Sequence, residues 1–120
     1  MIERKILVVD DSQVNREYLR DCIDTYFPNA VVYEAVNGEE AVLMCTAQWF
    51  DLVLLDIMMP VMDGCEALKQ IKKLNPTIPV VMVTCYEAKY LETYARGADG
   101  FILKPFSPEE MKNVCEKFLS

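Results

Sequence analysis

The sequence predicts an α/β fold in which a doubly wound, five-stranded parallel sheet is covered by five helices. Five strand-like segments alternate with helix-like segments along the 120 residues, which is the pattern of repeated β-α units. Four of the strand-like segments are continuous apolar runs, as expected for strands buried on both faces. The connections are short, and no linker, repeat or low-complexity stretch interrupts the alternation.

The predicted strands are short and bounded by polar residues. They cover residues 6–9, 31–35, 52–55, 80–83 and 101–103. The second run contains Tyr33 and Glu34 and is the most polar of the five. This polarity predicts that it lies near an edge of the sheet.

The first and last predicted helices each show an apolar face at helical spacing. The first face consists of Val14, Tyr18, Leu19, Cys22, Ile23 and Tyr26. The last consists of Met111, Val114, Cys115, Phe118 and Leu119. We expect both faces to point toward the sheet.

Three helix starts are marked by a capping residue with Glu three positions later. The capping residues are Asn37, Asp63 and Ser107, and this pattern is typical of a capping box. The first of these helices is predicted to run to about residue 48, and the second to end before Asn75. A further helix is predicted over 86–96, ending at Gly97.

Composition limits the possible partners and chemistries. With 19 acidic and 12 basic residues, the net charge is −7, so we expect no direct binding to nucleic acid. No apolar run is long enough to span a bilayer, and the start of the chain lacks signal-peptide features, which predicts a cytoplasmic protein. The chain has no histidine and five scattered cysteines. A zinc site and a Ser-His-Asp set are therefore improbable, and we expect the cysteines to be small buried residues.

Polar side chains follow four of the strand-like runs. They are Asp10 and Asp11, Asp56, Thr84 and Lys104. Because the carboxyl ends of parallel strands share one edge of the sheet, we expect these groups to lie close together. Carboxylates are the ligands that Mg²⁺ prefers, and a lysine can neutralise a phosphoryl group beside it. Each residue alone has an ordinary explanation, such as an acidic helix start for Asp10 and Asp11, but together they predict a metal and phosphate site.

Four segments, at residues 8–12, 54–64, 83–84 and 103–106, resemble the receiver domain of bacterial two-component response regulators of the chemotaxis-regulator type. The resemblance extends from about residue 4 to 119, so a single receiver domain over 1–120 is predicted. It implies a flavodoxin-like fold with strand order 2-1-3-4-5. It also implies a phospho-accepting signalling switch that catalyses only its own phosphorylation and dephosphorylation.

The resemblance implies how the acidic residues divide their roles. Asp56 would be the phosphoacceptor. Asp11 and Asp56 would ligate Mg²⁺ directly, together with the backbone carbonyl of Met58, whereas Asp10 would act largely through water. These roles remain expectations carried by the matching motifs.

The remaining roles that the resemblance implies concern the phosphoryl group and the switch. Thr84 would donate its hydroxyl to a phosphoryl oxygen, and Lys104 would pair with the same group. Phe101 would be the switch aromatic that turns inward when Thr84 moves, although an aromatic residue in a strand is more often a core residue. The Lys104–Pro105 bond would be cis.

The resemblance also implies partners. The phosphoryl donor would be a phosphohistidine of a sensor histidine kinase or of a histidine phosphotransfer protein. The output would be a further domain or an effector protein, and a homodimer is possible. The chain is either a stand-alone receiver or part of a longer regulator. The segment from Thr84 to Lys104 is about two residues shorter than is typical of the family, roughly half a helical turn.

Two other classes of protein share some of these features. A haloacid dehalogenase-type hydrolase also uses an aspartyl nucleophile, but it needs a second acid two positions later, where this chain has Met58. A flavodoxin-like electron carrier would suit the fold, but Asp10 and Asp11 would repel a flavin phosphate. The sequence therefore favours the signalling switch.

Overall fold

The computed structural model describes residues 3–85 and 97–119, which form five strands and four helices. The elements are β1 Lys5–Val9, α1 Gln13–Tyr26, β2 Val31–Ala35, α2 Gly38–Ala47, β3 Leu52–Asp56, α3 Gly64–Leu74, β4 Val80–Thr84, β5 Gly100–Leu103 and α4 Pro108–Leu119. All five predicted strands are confirmed, and so are four of the five predicted helices. The helix predicted over 86–96 lies outside the described residues.

The strands form one parallel sheet in the order β2-β1-β3-β4-β5. The order confirms the doubly wound topology and places the polar strand β2 at an edge. Val9 pairs with Leu55, and Thr84 pairs with Leu103. The carboxyl ends of the strands are therefore level with one another. The strand order changes direction between β1 and β3. Ligands bind at this point in sheets of this kind.

Apolar layers cover both faces of the sheet. Leu7 and Leu55 belong to a layer that is completed by residues of α2 and α3. Val8 and Leu54 belong to the opposite layer, completed by residues of α1 and α4. β3 and β4 are buried along their whole length, which explains why their sequences are apolar without alternation.

Side-chain caps fix the starts of the described helices. Asn37, Asp63 and Ser107 each accept a hydrogen bond from the backbone N–H three residues later, at 2.8, 2.9 and 3.2 Å. These are the caps that the sequence predicted. Ser12 caps α1 in the same way at 3.3 Å, although no capping box marks it. Each such cap typically stabilises its helix by about 1 kcal/mol.

The inward face of α1 is narrower than predicted. Leu19, Cys22 and Ile23 are buried, but Val14 is 73% exposed and Tyr18 is 42% exposed. The prediction was wrong for these two residues: the turn that carries them is not covered by the sheet, and Tyr18 instead contacts Phe106, which follows β5. The stripe of α4 is confirmed, since Met111 and Cys115 are buried.

The cysteines are all free. Cys22, Cys45 and Cys115 are buried, which confirms the prediction for them, whereas Cys65 is half-buried and Cys85 is exposed. Cys85 differs because it is the first residue after β4, where the chain leaves the core. Among the described residues, no helix has both the length and the apolar character to cross a membrane.

Candidate functional site

Three carboxylates meet at the carboxyl edge of the sheet. Asp10 and Asp11 follow β1, and Asp56 is the last residue of β3. One oxygen of each lies within 4.8 Å of the others. Asp10 is 1% exposed and Asp56 is 7% exposed, whereas Asp11 is exposed to solvent. The structure therefore brings together the three acids that the sequence singled out, but at different depths.

Within the described part of the chain, Asp10 is held by four hydrogen bonds. Its Oδ1 accepts from the backbone N–H of Ser12 at 2.9 Å, and its Oδ2 accepts from Nζ of Lys104 at 3.1 Å. Its backbone carbonyl accepts from the guanidinium of Arg16 at 2.7 Å, and its backbone N–H donates to the carbonyl of Ala35 at 3.2 Å. Both carboxylate oxygens of this buried residue thus have a protein donor, which compensates the cost of its burial.

Lys104 reaches the acids from the other side of the site. Its Nζ lies 3.1 Å from Oδ2 of Asp10 and 3.6 Å from Oδ1 of Asp56. Its backbone N–H donates to the carbonyl of Thr84 at 2.8 Å, and its bond to Pro105 is cis, as expected. Lys104 therefore contacts two of the three carboxylates, and among the described residues these acids outnumber the ammonium groups paired with them.

Burial raises the pKa of Asp56 from its ordinary value to about 6. The ammonium of Lys104 opposes this rise, while the carboxylates of Asp10 and Asp11 add to it. A carboxylate that is buried beside like charges is stabilised by any added cation. The electrostatics therefore favour binding of a positive ion next to Asp56.

The remaining predicted site residues occupy the same edge or lie just behind it. Thr84 ends β4 and is 1% exposed. Met58 lies in the loop after β3 with its side chain 60% exposed. Phe101 is half-buried in β5 and packs against the layer formed with α2 and α3. Its role as a switch and the ligand role of the Met58 carbonyl remain predictions.

The loop after β3 closes tightly against the site. The backbone N–H of Gly64 donates to the carbonyl of Ile57 at 2.9 Å. A Cβ at Gly64 would lie 2.0 Å from the carbonyl oxygen of Asp56. The glycine is therefore required by the close approach of two backbone segments, and it fixes where β3 ends.

Three residues that support the site were given no role of their own by sequence reasoning, although two of them lie within the segments that resemble receiver domains. They are Ser12, Arg16 and Gly64. Ser12 directly precedes α1, so its position before a helical pattern was a usable signal. The contact of Arg16 with a backbone carbonyl carries no sequence signal of its own.

The residues present fit a magnesium ion. Carboxylate oxygens are hard ligands, and two or three of them suffice for Mg²⁺, which keeps several of its waters. Exposed Asp11 borders on solvent, so a hydrated ion can reach the site. The donor set contains neither histidine nor cysteine, which agrees with the preference of Mg²⁺ for oxygen.

The fold and site together define a class of protein: a doubly wound α/β protein with an acidic, lysine-bearing site at its switch point. The chain also matches the family model of the response regulator receiver domain over residues 6–116. It therefore belongs to the response regulator receiver domain family, whose members act as switches in two-component systems. This membership supports the signalling switch over the hydrolase and the electron carrier.

Individual relatives agree with this assignment. The chain is 41% identical over 111 residues to the transcriptional regulatory protein ResD of Bacillus subtilis, covering 91% of the chain but only 45% of ResD. It is 36% identical over 119 residues to the chemotaxis protein CheY of Halobacterium salinarum, covering 98% of each. The response regulator TrrA of Thermotoga maritima, solved in complex with Mg²⁺ and BeF, superposes with a TM-score of 0.88 at 32% identity, covering 97% of this chain and 99% of that one.

Proposed function

We propose that this chain is a phospho-accepting signalling switch in which Asp56 receives a phosphoryl group from a phosphohistidine of a sensor kinase or phosphotransfer protein. One observation carries the proposal. The buried carboxylate of Asp56 lies within 4.8 Å of two further carboxylates and 3.6 Å from the ammonium of Lys104. This arrangement combines a nucleophile, a cation site and a phosphate-binding charge.

The chemistry follows from these positions. An oxygen of Asp56 attacks phosphorus, the bond between phosphorus and the donor's imidazole nitrogen breaks, and the imidazole takes up a proton. Lys104 neutralises the transferred oxygens, and the hydroxyl of Thr84 donates to one of them. Phosphoryl transfer depends mainly on such positioning and charge neutralisation. With a pKa of about 6, Asp56 is ionised at neutral pH and able to attack.

Asp10, Asp11, Asp56 and the backbone carbonyl of Met58 would hold the magnesium ion. When bound, Mg²⁺ supplies positive charge that offsets the repulsion between the acids and the incoming phosphoryl group. Asp11 and Asp56 would be direct ligands, and the exposure of Asp11 leaves its oxygens accessible to the ion. Asp10 would act through water because its oxygens already accept from Ser12 and Lys104.

The phosphorylated site would change the surface that other molecules meet. Thr84 would move toward the phosphoryl group and Phe101 would turn inward behind it, altering the face seen by an output domain, an effector or a second copy of the chain. We propose that residues 1–120 act as one receiver domain in the cytoplasm, without contacting nucleic acid directly. The negative net charge supports the last point.

Beryllofluoride, which mimics a phosphoryl group on a carboxylate, tests the proposal. Fluorine NMR should show a bound signal for the wild-type chain with Mg²⁺, and none for Asp56→Asn. Lys104→Ala should bind more weakly because the neutralising charge is lost. Intrinsic fluorescence is a poor substitute, since Trp49 hydrogen-bonds to Asp51 before β3, at the opposite edge of the sheet.

A matched control is Asp24→Asn, which removes an exposed carboxylate from the surface of α1. It should bind beryllofluoride as the wild type does. A bound signal of equal strength in Asp56→Asn would contradict the proposal.

A further inference from the structure

Tyr18 connects α1 to the segment that follows β5. Its hydroxyl donates a hydrogen bond to the backbone carbonyl of Phe106 at 3.0 Å. The two rings also pack against each other, with centroids 5.4 Å apart and planes inclined at 55°. Tyr18 is 42% exposed, so it is not a core residue, and its described hydrogen bond and ring contact are both with Phe106.

The segment held by this contact carries Lys104, which is two residues before Phe106. Pro105 and Ser107 are exposed, and Lys104 and Phe106 are only half-buried. Apart from the contact with Tyr18, the described backbone and capping hydrogen bonds of this segment lie at its two ends. Lys104 donates to the carbonyl of Thr84, and Ser107 caps α4. Tyr18 supplies the anchor in the middle.

Lys104 needs such an anchor because the position of its ammonium is narrowly defined. Its Nζ lies 3.1 Å from Asp10 and 3.6 Å from Asp56, at the end of a long side chain with several rotatable bonds. Side-chain entropy opposes a single placement of that kind. Fixing the backbone beside the lysine restricts where the ammonium can go.

We infer that Tyr18 is a positioning residue: through the carbonyl of Phe106 it holds the segment 104–106 so that the ammonium of Lys104 meets the phosphoryl group on Asp56. The inference rests on the proposed function. Tyr18 is not among the hydrogen-bond partners described for the acids, and besides Lys104, Asp10 is held by Ser12 and Arg16. Its hydroxyl therefore matters for phosphoryl binding and not for binding of the metal alone.

The variant Tyr18→Phe keeps the ring and removes only the hydroxyl. It is used to compare binding of a phosphoryl mimic with binding of the metal alone. Affinity for beryllofluoride at saturating Mg²⁺, measured by fluorine NMR titration, should fall about threefold to tenfold, the range expected for one lost hydrogen bond. Affinity for Mg²⁺ alone, measured by calorimetry, should stay within about twofold of the wild-type value, which is much less than a tenfold change in the dissociation constant.

Tyr26→Phe is the matched control, because Tyr26 lies on the same helix at the end far from the site, beneath Nζ of Lys112. It should leave both affinities unchanged. An unchanged beryllofluoride affinity in Tyr18→Phe would overturn the inference. So would an equal loss of affinity for beryllofluoride and for Mg²⁺ alone, which would indicate a general structural role. A wild-type chain that fails to bind beryllofluoride would instead contradict the proposed function.

Discussion

Adjacent residues in this site have different environments. Asp10 is buried, and its two oxygens accept from Ser12 and Lys104. Asp11, the next residue, is exposed to solvent. A pair of neighbouring aspartates in the sequence does not reveal which of them faces the core. Only the packing of the strand end decides it, and the resulting difference in exposure is consistent with the proposed roles of Asp11 as a direct ligand and of Asp10 as a ligand through water.

The division of roles predicts different metal affinities. Asp11→Ala should weaken Mg²⁺ binding about tenfold or more, the equivalent of about 1.4 kcal/mol, because a direct ligand is lost. Asp10→Ala should weaken it less, because only a water-mediated contact is removed. Calorimetric titration of both variants measures the difference, and equal affinities would argue against the assignment.

The same two variants should differ in stability without metal. Asp10→Ala leaves the N–H of Ser12 and the ammonium of Lys104 without this acceptor, so we expect a loss of about 1–3 kcal/mol in the free energy of unfolding. Asp11→Ala should instead stabilise the metal-free chain slightly, by relieving repulsion between carboxylates. Urea denaturation in a chelator measures both, and a more stable Asp10→Ala would count against the described hydrogen bonds.

The pKa of Asp56 predicts how stability depends on pH when no metal is bound. Burial raises this pKa above its ordinary value of 3.8 to about 6, so the folded state binds the proton more tightly than the unfolded state. The contribution to stability is fully present below about pH 4 and is lost as the pH rises through about 6.

We therefore expect the free energy of unfolding of the wild type to fall relative to Asp56→Asn across this window. The slope for one proton is at most about 1.4 kcal/mol per pH unit. Urea denaturation at a series of pH values without Mg²⁺ measures the difference. If the free energies of unfolding of the wild type and of Asp56→Asn differ by the same amount from pH 4 to 7, Asp56 ionises with its ordinary pKa.

At the scale of elements, the end of β3 and the start of α3 meet with no room for a side chain. A Cβ at Gly64 would lie 2.0 Å from the carbonyl oxygen of Asp56. The backbone that carries the proposed phosphoacceptor is therefore fixed by the loop that returns from it. At Gly100 in β5, by contrast, a Cβ would meet its nearest atoms at 3.5 Å or more.

This contrast predicts that Gly64→Ala destabilises the chain by about 3 kcal/mol or more, because one of the two backbone segments must move. Gly100→Ala should cost less than about 1 kcal/mol, since ordinary contact distances are kept. Thermal or urea unfolding of the two variants compares them directly. Similar losses in both would show that the close approach at Gly64 is not rigid.

Most of the elements could be predicted from the sequence because their signals are local. Continuous apolar runs mark β1, β3 and β4, and capping boxes at Asn37 and Asp63 mark α2 and α3. The contacts between distant parts of the chain could not be predicted. Tyr18 and Phe106 are 88 residues apart, and the sequence pattern assigned Tyr18 to the buried face of α1.

At the scale of the whole molecule, the topology assembles the site from four strand ends. The candidate site could be predicted as a set of residues because parallel strands bring their carboxyl ends to one edge. The geometry within the set could not, because the ion pairs of Lys104 with Asp10 and Asp56 depend on the packing of the segment after β5. The order of the strands came from the resemblance to receiver domains, and the sheet confirms it.

The claim that Asp56 is the phosphoacceptor is tested most directly by intact mass spectrometry after incubation with acetyl phosphate and Mg²⁺. The account predicts the added mass of one phosphoryl group in the wild type and in Asp24→Asn, and its loss in Asp56→Asn. Reduction of the acyl phosphate with borohydride, followed by peptide mapping, should place the modification at Asp56. Labelling of Asp56→Asn to the same extent as the wild type, or a modification mapped to another residue, would contradict the account.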